Sequence, residues 1–365
     1  MRKGWEIKTV GDVCKSASSN VSQNSLDTNI GEYPIYGASG LIKKVNFYHR
    51  DKPYLSIVKD GSGFGRITIM SAYTSVIGTL QYIIPNEEID LNYLYYNLLS
   101  IDFKKYVSGA AIPHIYFKDY KTEPFLWIPI KEQKELVAII DDAFDSIERA
   151  KSNAQQNLKN AKELLKSYIE ELFQNGNSKW ELKTLNEISE NLDSKRIPIT
   201  KNVRSEGSIP YYGASGIVDY VAEHLFNEEL LCVSEDGANL LARTYPIAFS
   251  ISGKTWVNNH AHVLKFKDLD TQKFVEIYLN SIKLDDYVSG MAQPKLNQTM
   301  LNKIPIPYPT IVEKKSIVNK IEMLSIETKS LESIYEQKLN DLEELKKSIL
   351  QKAFNGELKT SKITA

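Results

Sequence analysis

Three stretches of this 365-residue chain hold residues whose type and spacing suit chemistry. Gly61-Ser62-Gly63-Phe64-Gly65-Arg66 is glycine-rich, like a phosphate cradle. It lacks the Lys-Ser/Thr ending that grips a nucleotide and its metal, and its glycines are mis-spaced for a dinucleotide fingerprint. A plain glycine-rich turn is the reading that remains. His260-Ala261-His262 would put two imidazoles on one face of a strand, the start of a metal site. No cysteine, third histidine or carboxylate cluster stands beside them, and the matching stretch of the first half has no such pair. No metal is assigned. Paired active-site carboxylates and a nucleophile-elbow serine are also missing, so no catalytic residues are expected in this chain.

The third stretch occurs twice. Ser108-Gly109-Ala110-Ala111-Ile112-Pro113-His114 and Ser289-Gly290-Met291-Ala292-Gln293-Pro294-Lys295 keep Gly, Ala and Pro in register, while Ile112 and His114 stand opposite Gln293 and Lys295. A fixed loop frame with exchanged tips is what two heads reading different base sequences need. The same pattern also suits loops that merely close their domains and leave solvated tips. Lys59, Ser62 and Arg66 in one half, and Lys254, Asn258 and Asn259 in the other, add donors and amides suited to base edges or phosphates. The candidate contact set is therefore Lys59, Ser62, Arg66, His114, Lys254, Asn258, Asn259, Gln293 and Lys295. Most of the 21 tyrosines are assigned to packing.

Other phrases also recur. Trp5-Glu6-Ile7-Lys8-Thr9 returns as Trp180-Glu181-Leu182-Lys183-Thr184, and Tyr36-Gly37-Ala38-Ser39-Gly40 as Tyr212-Gly213-Ala214-Ser215-Gly216. Tyr106-Val107-Ser108-Gly109 returns as Tyr287-Val288-Ser289-Gly290, and the spacings of 175, 176 and 181 residues define two related halves with small insertions. Glu357-Leu358-Lys359-Thr360 begins the first phrase a third time. Such internal pseudo-symmetry suits a two-fold partner, of which duplex DNA is the commonest.

Each half must position its loops with a strand-and-turn part followed by a long helix. Short runs such as Tyr54–Val58, Gly65–Ile69 and Glu229–Val233 read as strands, with helices expected over Leu91–Lys105 and Thr271–Leu284. Proline-rich strings, Pro124–Pro129 and Pro305–Pro309, end both parts and precede the long helices. Ile140, Ile147, Ala154, Ala161 and Tyr168 recur every seven residues beside Phe144, Leu158, Leu165 and Leu172. Ile321, Tyr335, Leu342 and Ile349 keep the same period beside Ile317, Leu324, Leu331 and Leu345. That repeat predicts coiled-coil helices stopped at Asn175-Gly176 and Asn355-Gly356 and packed antiparallel on each other. The expected fold is mixed α/β, with two pseudo-symmetric globular parts at 1–130 and 177–310. Helices at 131–176 and 311–357 separate them, and a tail follows at 358–365.

Bulk properties narrow the class. The net charge is −1, unusual for a freestanding DNA binder. The helix at 131–176 carries 7 basic against 9 acidic residues, and that at 311–357 carries 8 against 9. The rest is close to neutral, so a basic partner is expected to supply much of any phosphate attraction. The two cysteines fall at unrelated points, against a disulfide framework or zinc site. No apolar leader or run of membrane-spanning length is seen, and a cytoplasmic location is the default.

Together these phrases resemble the specificity subunit of type I restriction-modification systems, over essentially the whole chain. The resemblance rests on the doubled Trp-Glu-x-Lys-Thr, Tyr-Gly-Ala-Ser-Gly and Ser-Gly-x-Ala-x-Pro phrases, and on Ile128-Pro129-Ile130-Lys131-Glu132-Gln133. The ending Leu345–Gly356 is also similar. Val312-Glu313-Lys314-Lys315 departs from the first helix's Glu-Gln entry. The resemblance implies that each globular part is a target recognition domain reading half of a bipartite, asymmetric DNA sequence, while the helices set the gap. Partners would be double-stranded DNA, two methyltransferase (M) subunits and restriction (R) subunits. S-adenosylmethionine, ATP and Mg would belong to those subunits, leaving this chain without a cofactor. A standalone duplicated DNA-binding regulator and a coiled-coil protein-binding scaffold are the alternatives.

Overall fold

The structure, a computed structural model, describes residues 4–109, 112–176, 179–290 and 293–358. Ala110, Ala111, Met291 and Ala292 of the paired loops, and residues 359–365 of the expected tail, lie outside the described residues. The chain divides into two compact units: residues 1–155 with 337–365, and residues 156–336. Both long helices, the central helix Ile130–Gly176 and the C-terminal helix Ile311–Phe354, contribute a segment to each unit.

In unit 1, β1 (Glu6–Thr9) pairs antiparallel with β9 (Pro124–Trp127). The recurring Trp-Glu phrase and the proline-rich string thus form one seam. Pro124 faces Thr9 at the end of this two-stranded ladder, where a residue without an N–H is tolerated. Thr9 and Asp12 form a capping box that turns the chain into the main sheet. That sheet runs β2 (Cys14–Ser18), β8 (Leu80–Pro85), β5 (Tyr54–Val58), β6 (Ile67–Met70). All of β5 is buried, which explains its unbroken apolar character.

A second sheet joins the hairpin β3 (Tyr33–Gly37) and β4 (Gly40–Val45) to β7 (Ser75–Val76), which lies parallel to β3. The helix expected over Leu91–Lys105 ends at Leu99, because Ser100 and Asp102 divert the backbone into a separate turn, Phe103–Tyr106. One core then binds Leu55, Ile57, Ile83 and Leu94 to Leu136 and Ile140 of the central helix and Leu350 and Ala353 of the C-terminal helix.

Unit 2 repeats this plan. β10 (Glu181–Lys183) pairs with β19 (Ile306–Tyr308), and Thr184 with Glu187 forms the second capping box. The main sheet runs β11 (Ser189–Asn191), β18 (Ala261–Phe266), β15 (Leu230–Ser234), β16 (Ala248–Ile251). The hairpin β12 (Ile209–Gly213) and β13 (Gly216–Val221) joins β17 (Lys254–Val257), which gains an extra strand, β14 (Phe226–Asn227). Even the hairpin irregularity recurs, at Ile35/Tyr36 and Tyr211/Tyr212. The helix here is Leu269–Ser281, two residues earlier than expected because Asp268 caps it.

Within unit 1 the helix segments run antiparallel: Lys151 pairs with Glu343, and Lys346 with Glu148. In unit 2, Lys320 lies over the Tyr168 ring. Ile140, Ile147, Ala154 and Ala161 are buried, as the seven-residue repeat requires. Leu331 and Leu345 are exposed instead, and Thr328 fills a buried position between Ile321 and Tyr335. Gly356 (φ +77°) ends the C-terminal helix, with Glu357 N–H donating to Lys352 O (2.9 Å) and Gly356 N–H to Ala353 O (3.2 Å). That pair of bonds is a Schellman stop.

The second helix entry differs from the first by less than its sequence suggests. Glu313 keeps the acid, with Thr310 N–H donating to it at 2.9 Å. Only the next residue is exchanged. Gln133 is buried and bonds to Ile128 O, Glu88 O and Asp90 N–H, whereas Lys314, 2% exposed, donates to Thr271 Oγ1 at 3.0 Å and lies over the Tyr308 ring.

Candidate nucleic-acid interface

Each unit carries a tip built from the turn that leaves its central strand and the loop before its closing seam. In unit 1, β5 ends at Val58 and the chain turns through Lys59–Arg66. Val58 N–H bonds Arg66 O, and Gly65 N–H bonds Val58 O, each at 2.9 Å. The loop Ser108–His114 closes on itself through Ser108 N–H to His114 O (2.9 Å) and His114 N–H to Ser108 O (2.8 Å). Gly61 N–H to Pro113 O and Ile115 N–H to Lys59 O, both 2.9 Å, staple loop to turn. Gly109 (φ +90°) has no room for a Cβ, which would come 2.4 Å from Ile112 O and 2.9 Å from the His114 ring.

Unit 2 reproduces these bonds. Ser289 and Lys295 exchange backbone bonds of 2.9 and 2.7 Å, Gly237 N–H reaches Pro294 O at 3.0 Å, and Leu296 N–H reaches Glu235 O at 2.8 Å. A Cβ on Gly290 (φ +85°) would meet Gln293 O at 2.5 Å. The frame is therefore set by backbone atoms and two glycines, whichever side chains it carries.

Those side chains differ. In unit 1, Asp60 accepts from Lys59 Nζ at 2.6 Å and faces His114 Nδ1 at 2.8 Å. Burial opposes the charge on Asp60, but the hydrogen bonds from Lys59 and His114 prevail and hold its carboxyl below the usual value. Ser62 is exposed in the same turn, and Arg66 donates to Ala38 O, tying the Tyr-Gly-Ala-Ser-Gly hairpin to the tip. In unit 2, Lys295 Nζ lies 3.2 Å from Glu235, whose other oxygen accepts from Arg196 at 2.8 Å. Burial raises the cost of charge on Glu235, and the Arg196 bond overcomes it, keeping the carboxyl low. Ser234 Oγ donates to Ala214 O, so this hairpin also meets its tip. Gln293 and Asn259 are exposed there.

Two other candidates sit differently. Asn258 is buried; its Oδ1 accepts from His260 N–H at 2.8 Å, so it shapes the turn rather than facing outward. Lys254 is exposed but begins β17, at the opposite end from Asn258 and opposite Asn227 of β14. His260 and His262, the pair spaced for one strand face, are committed elsewhere. His262 uses Nδ1 on Asp193 (2.6 Å) and Nε2 on Leu296 O (2.8 Å), while His260 Nδ1 contacts Asp236 at 2.8 Å. Among the described residues no group of three or more His, Cys, Asp or Glu is placed to hold a metal ion.

Asp60, Asp236 and Glu235 join the candidate residues only in the structure. Lys59-Asp60-Gly61 and Glu235-Asp236-Gly237 lie at the same 176-residue spacing as the hairpins, a signal that would have found them.

Two copies of one mixed α/β domain, with matching loop frames and unlike tips, define a duplicated-domain protein. The chain belongs to the type I restriction modification DNA specificity domain family, whose model matches it twice, over residues 2–159 and 177–344. It is 32% identical to S.HindORF215P of Haemophilus influenzae over 160 residues, covering 44% of this chain and 40% of that protein. It is 23% identical to the EcoDI specificity subunit of Escherichia coli over 97% of this chain and 88% of that one. The HsdS subunit of Thermoanaerobacter tengcongensis shares the fold, with a TM-score of 0.64 and 14% identity over 98% of both chains. Among the described residues no helix is long and apolar enough to cross a membrane.

Proposed function

We propose that this chain is a noncatalytic specificity subunit in which each unit reads one half of a bipartite duplex target. The observation that carries the reading is the pair of tips: one backbone frame, stapled by equivalent bonds, displaying His114, Lys59 and Ser62 in unit 1 and Lys295, Gln293 and Asn259 in unit 2. Base edges differ in donor and acceptor pattern, so unlike tips on like frames suit unlike half-sites. Arg66 and Lys254 are assigned to phosphates or to bases flanking them. Asn258 is assigned to the turn that carries Asn259.

The tips are not strongly basic, since Lys59 and Lys295 are both paired with carboxylates. Much of the phosphate attraction then falls to partner subunits. Methyltransferase and restriction subunits would bring S-adenosylmethionine, ATP and Mg. The C-terminal helix offers them a surface: in unit 2, Val312, Met323, Ile326 and Ile334 are all exposed. At 100° per residue they fall within an arc of roughly 80°, opposite the buried Ile321.

Co-expression with cognate methyltransferase subunits, followed by genome-wide mapping of methyladenine, tests the reading. A bipartite motif with an unread gap is expected. Tight site-specific binding by the chain alone at ordinary salt, or no methylation with competent partners, would refute it.

A further inference from the structure

Within the DNA-reading function proposed above, on which this rests, the geometry points to Asp60 and Asp236 as positioning residues that aim one imidazole at the target in each unit. The two carboxylates occupy the same place: each follows the residue after the central strand and precedes the glycine stapled to the loop, Gly61 or Gly237. Asp60 bridges to His114 and Asp236 to Lys295 through the backbone. Each carboxylate also holds the Nδ1 of a histidine, His114 at 2.8 Å in unit 1 and His260 at 2.8 Å in unit 2.

These histidines are not repeats of one another. His114 comes from the loop, in register with Lys295, whereas His260 comes from the turn between β17 and β18. The chain has only five histidines, so two of them reaching one carboxylate position by different routes is not inherited from the duplication. The shared requirement is the carboxylate–imidazole pair itself.

Exposure gives the pair a direction. The carboxylates are the covered partners, 22% and 17% exposed, and the imidazoles the open ones, 33% and 49%. An ionised carboxylate only accepts, so Nδ1 carries the proton and Nε2 becomes the working atom. Neither Nε2 has a hydrogen-bond partner among the described residues. The Tyr116 ring, stacked on His114 with centroids 6.3 Å apart, further fixes its plane. When the ring is neutral, Nε2 accepts, which matches the amino group of adenine or cytosine at a base edge.

Methyladenine maps from cells expressing the chain with its methyltransferase subunits test this directly. His114→Ala and Asp60→Asn are each expected to relax one base position of one half-site about tenfold, with the other half-site untouched. His260→Ala and Asp236→Asn should do the same to the other half-site. Asp60 also holds Lys59, so the double variant belongs in unit 2, where among the described residues Asp236 holds no side chain but His260: Asp236→Asn with His260→Ala should be no worse than His260→Ala alone. In 15N-histidine spectra of the full chain, the five rings are few enough to assign, and Asp60→Asn should disturb the Nδ1-protonated form of His114. An intact motif in the single variants, additive losses in the double, or uniform weakening of both half-sites overturns the proposal while leaving the bipartite reading standing. No motif in the wild type removes that reading itself, and the proposal with it.

Discussion

Trp5 lies against Gly356, so closely that a Cβ on the glycine would come 3.1 Å from Cζ3 of the indole. The same indole donates to Glu132 at 2.8 Å, so one ring touches the start of one long helix and the end of the other in unit 1. Gly356→Ala should therefore cost both left-handed strain and a clash, about 1–2 kcal/mol in denaturant titration. Gly253 has a similar φ of +68° but open space around it, so Gly253→Ala should cost strain alone. Equal losses for the two would show that the Trp5 contact contributes nothing.

The exchange of Gln133 for Lys314 predicts an asymmetry. Gln133→Leu strands Asp90 N–H, Glu88 O and Ile128 O, and should lower stability by about 2–3 kcal/mol. Lys314→Gln removes a buried ammonium held by one hydroxyl and a ring, and should cost less than about 1 kcal/mol. Thermal unfolding of the two variants side by side checks the order.

Acid should weaken both tips. Burial works against charge on Asp193, yet the hydrogen bond from His262 and the further contacts of Val263 and Arg196 leave its carboxyl lowered. Asp60 and Glu235 are lowered too. A carboxyl depressed by folding stabilises the fold above its unfolded value and loses that contribution as pH falls through the folded one. Melting temperatures should thus fall as pH drops below about 4, and Asp193→Asn should flatten that fall. A midpoint constant from about pH 3 to pH 7 would contradict this.

The exposed stripe on the C-terminal helix predicts a defect of assembly without a defect of folding. Met323→Asp and Ile326→Asp alter solvent-facing positions and should change stability by less than about 0.5 kcal/mol. Gel filtration with methyltransferase subunits should nonetheless show loss of the complex. A variant that still assembles stoichiometrically would place the docking surface elsewhere.

Replacing residues 177–310 with the corresponding segment of a relative should change one half of the methylated motif and leave the other. If both halves change, the units do not read independently.

Periodicity and repetition carried much of this fold into view, for physical reasons that particular residues make plain. Ile140, Ile147, Ala154 and Ala161 are buried every two turns, and a pattern that regular survives without knowledge of what covers it. The seam did not announce itself. Pro124–Trp127 and Ile306–Tyr308 become strands only because the Trp-Glu phrases, more than a hundred residues earlier, pair with them. Leu331 and Leu345 fit the heptad but lie exposed, since period alone does not tell a packed face from one left for a partner. At the tips, the loop residues were visible from their doubled frame. Their carboxylate partners were not, because the bonds from His114 to Asp60 and from His260 to Asp236 join positions 54 and 24 residues apart.

The bonds that close each tip loop on itself and staple it to its turn run between main-chain atoms, and that has a consequence for how such a protein diversifies. A change at Ile112 or Gln293 rewrites what is displayed and leaves every staple of the frame intact, whereas a change at Gly109 or Gly290 breaks the frame whatever it displays. Variation is channelled onto the vocabulary and kept off the grammar. Each unit can then acquire a new word without relearning how to hold it.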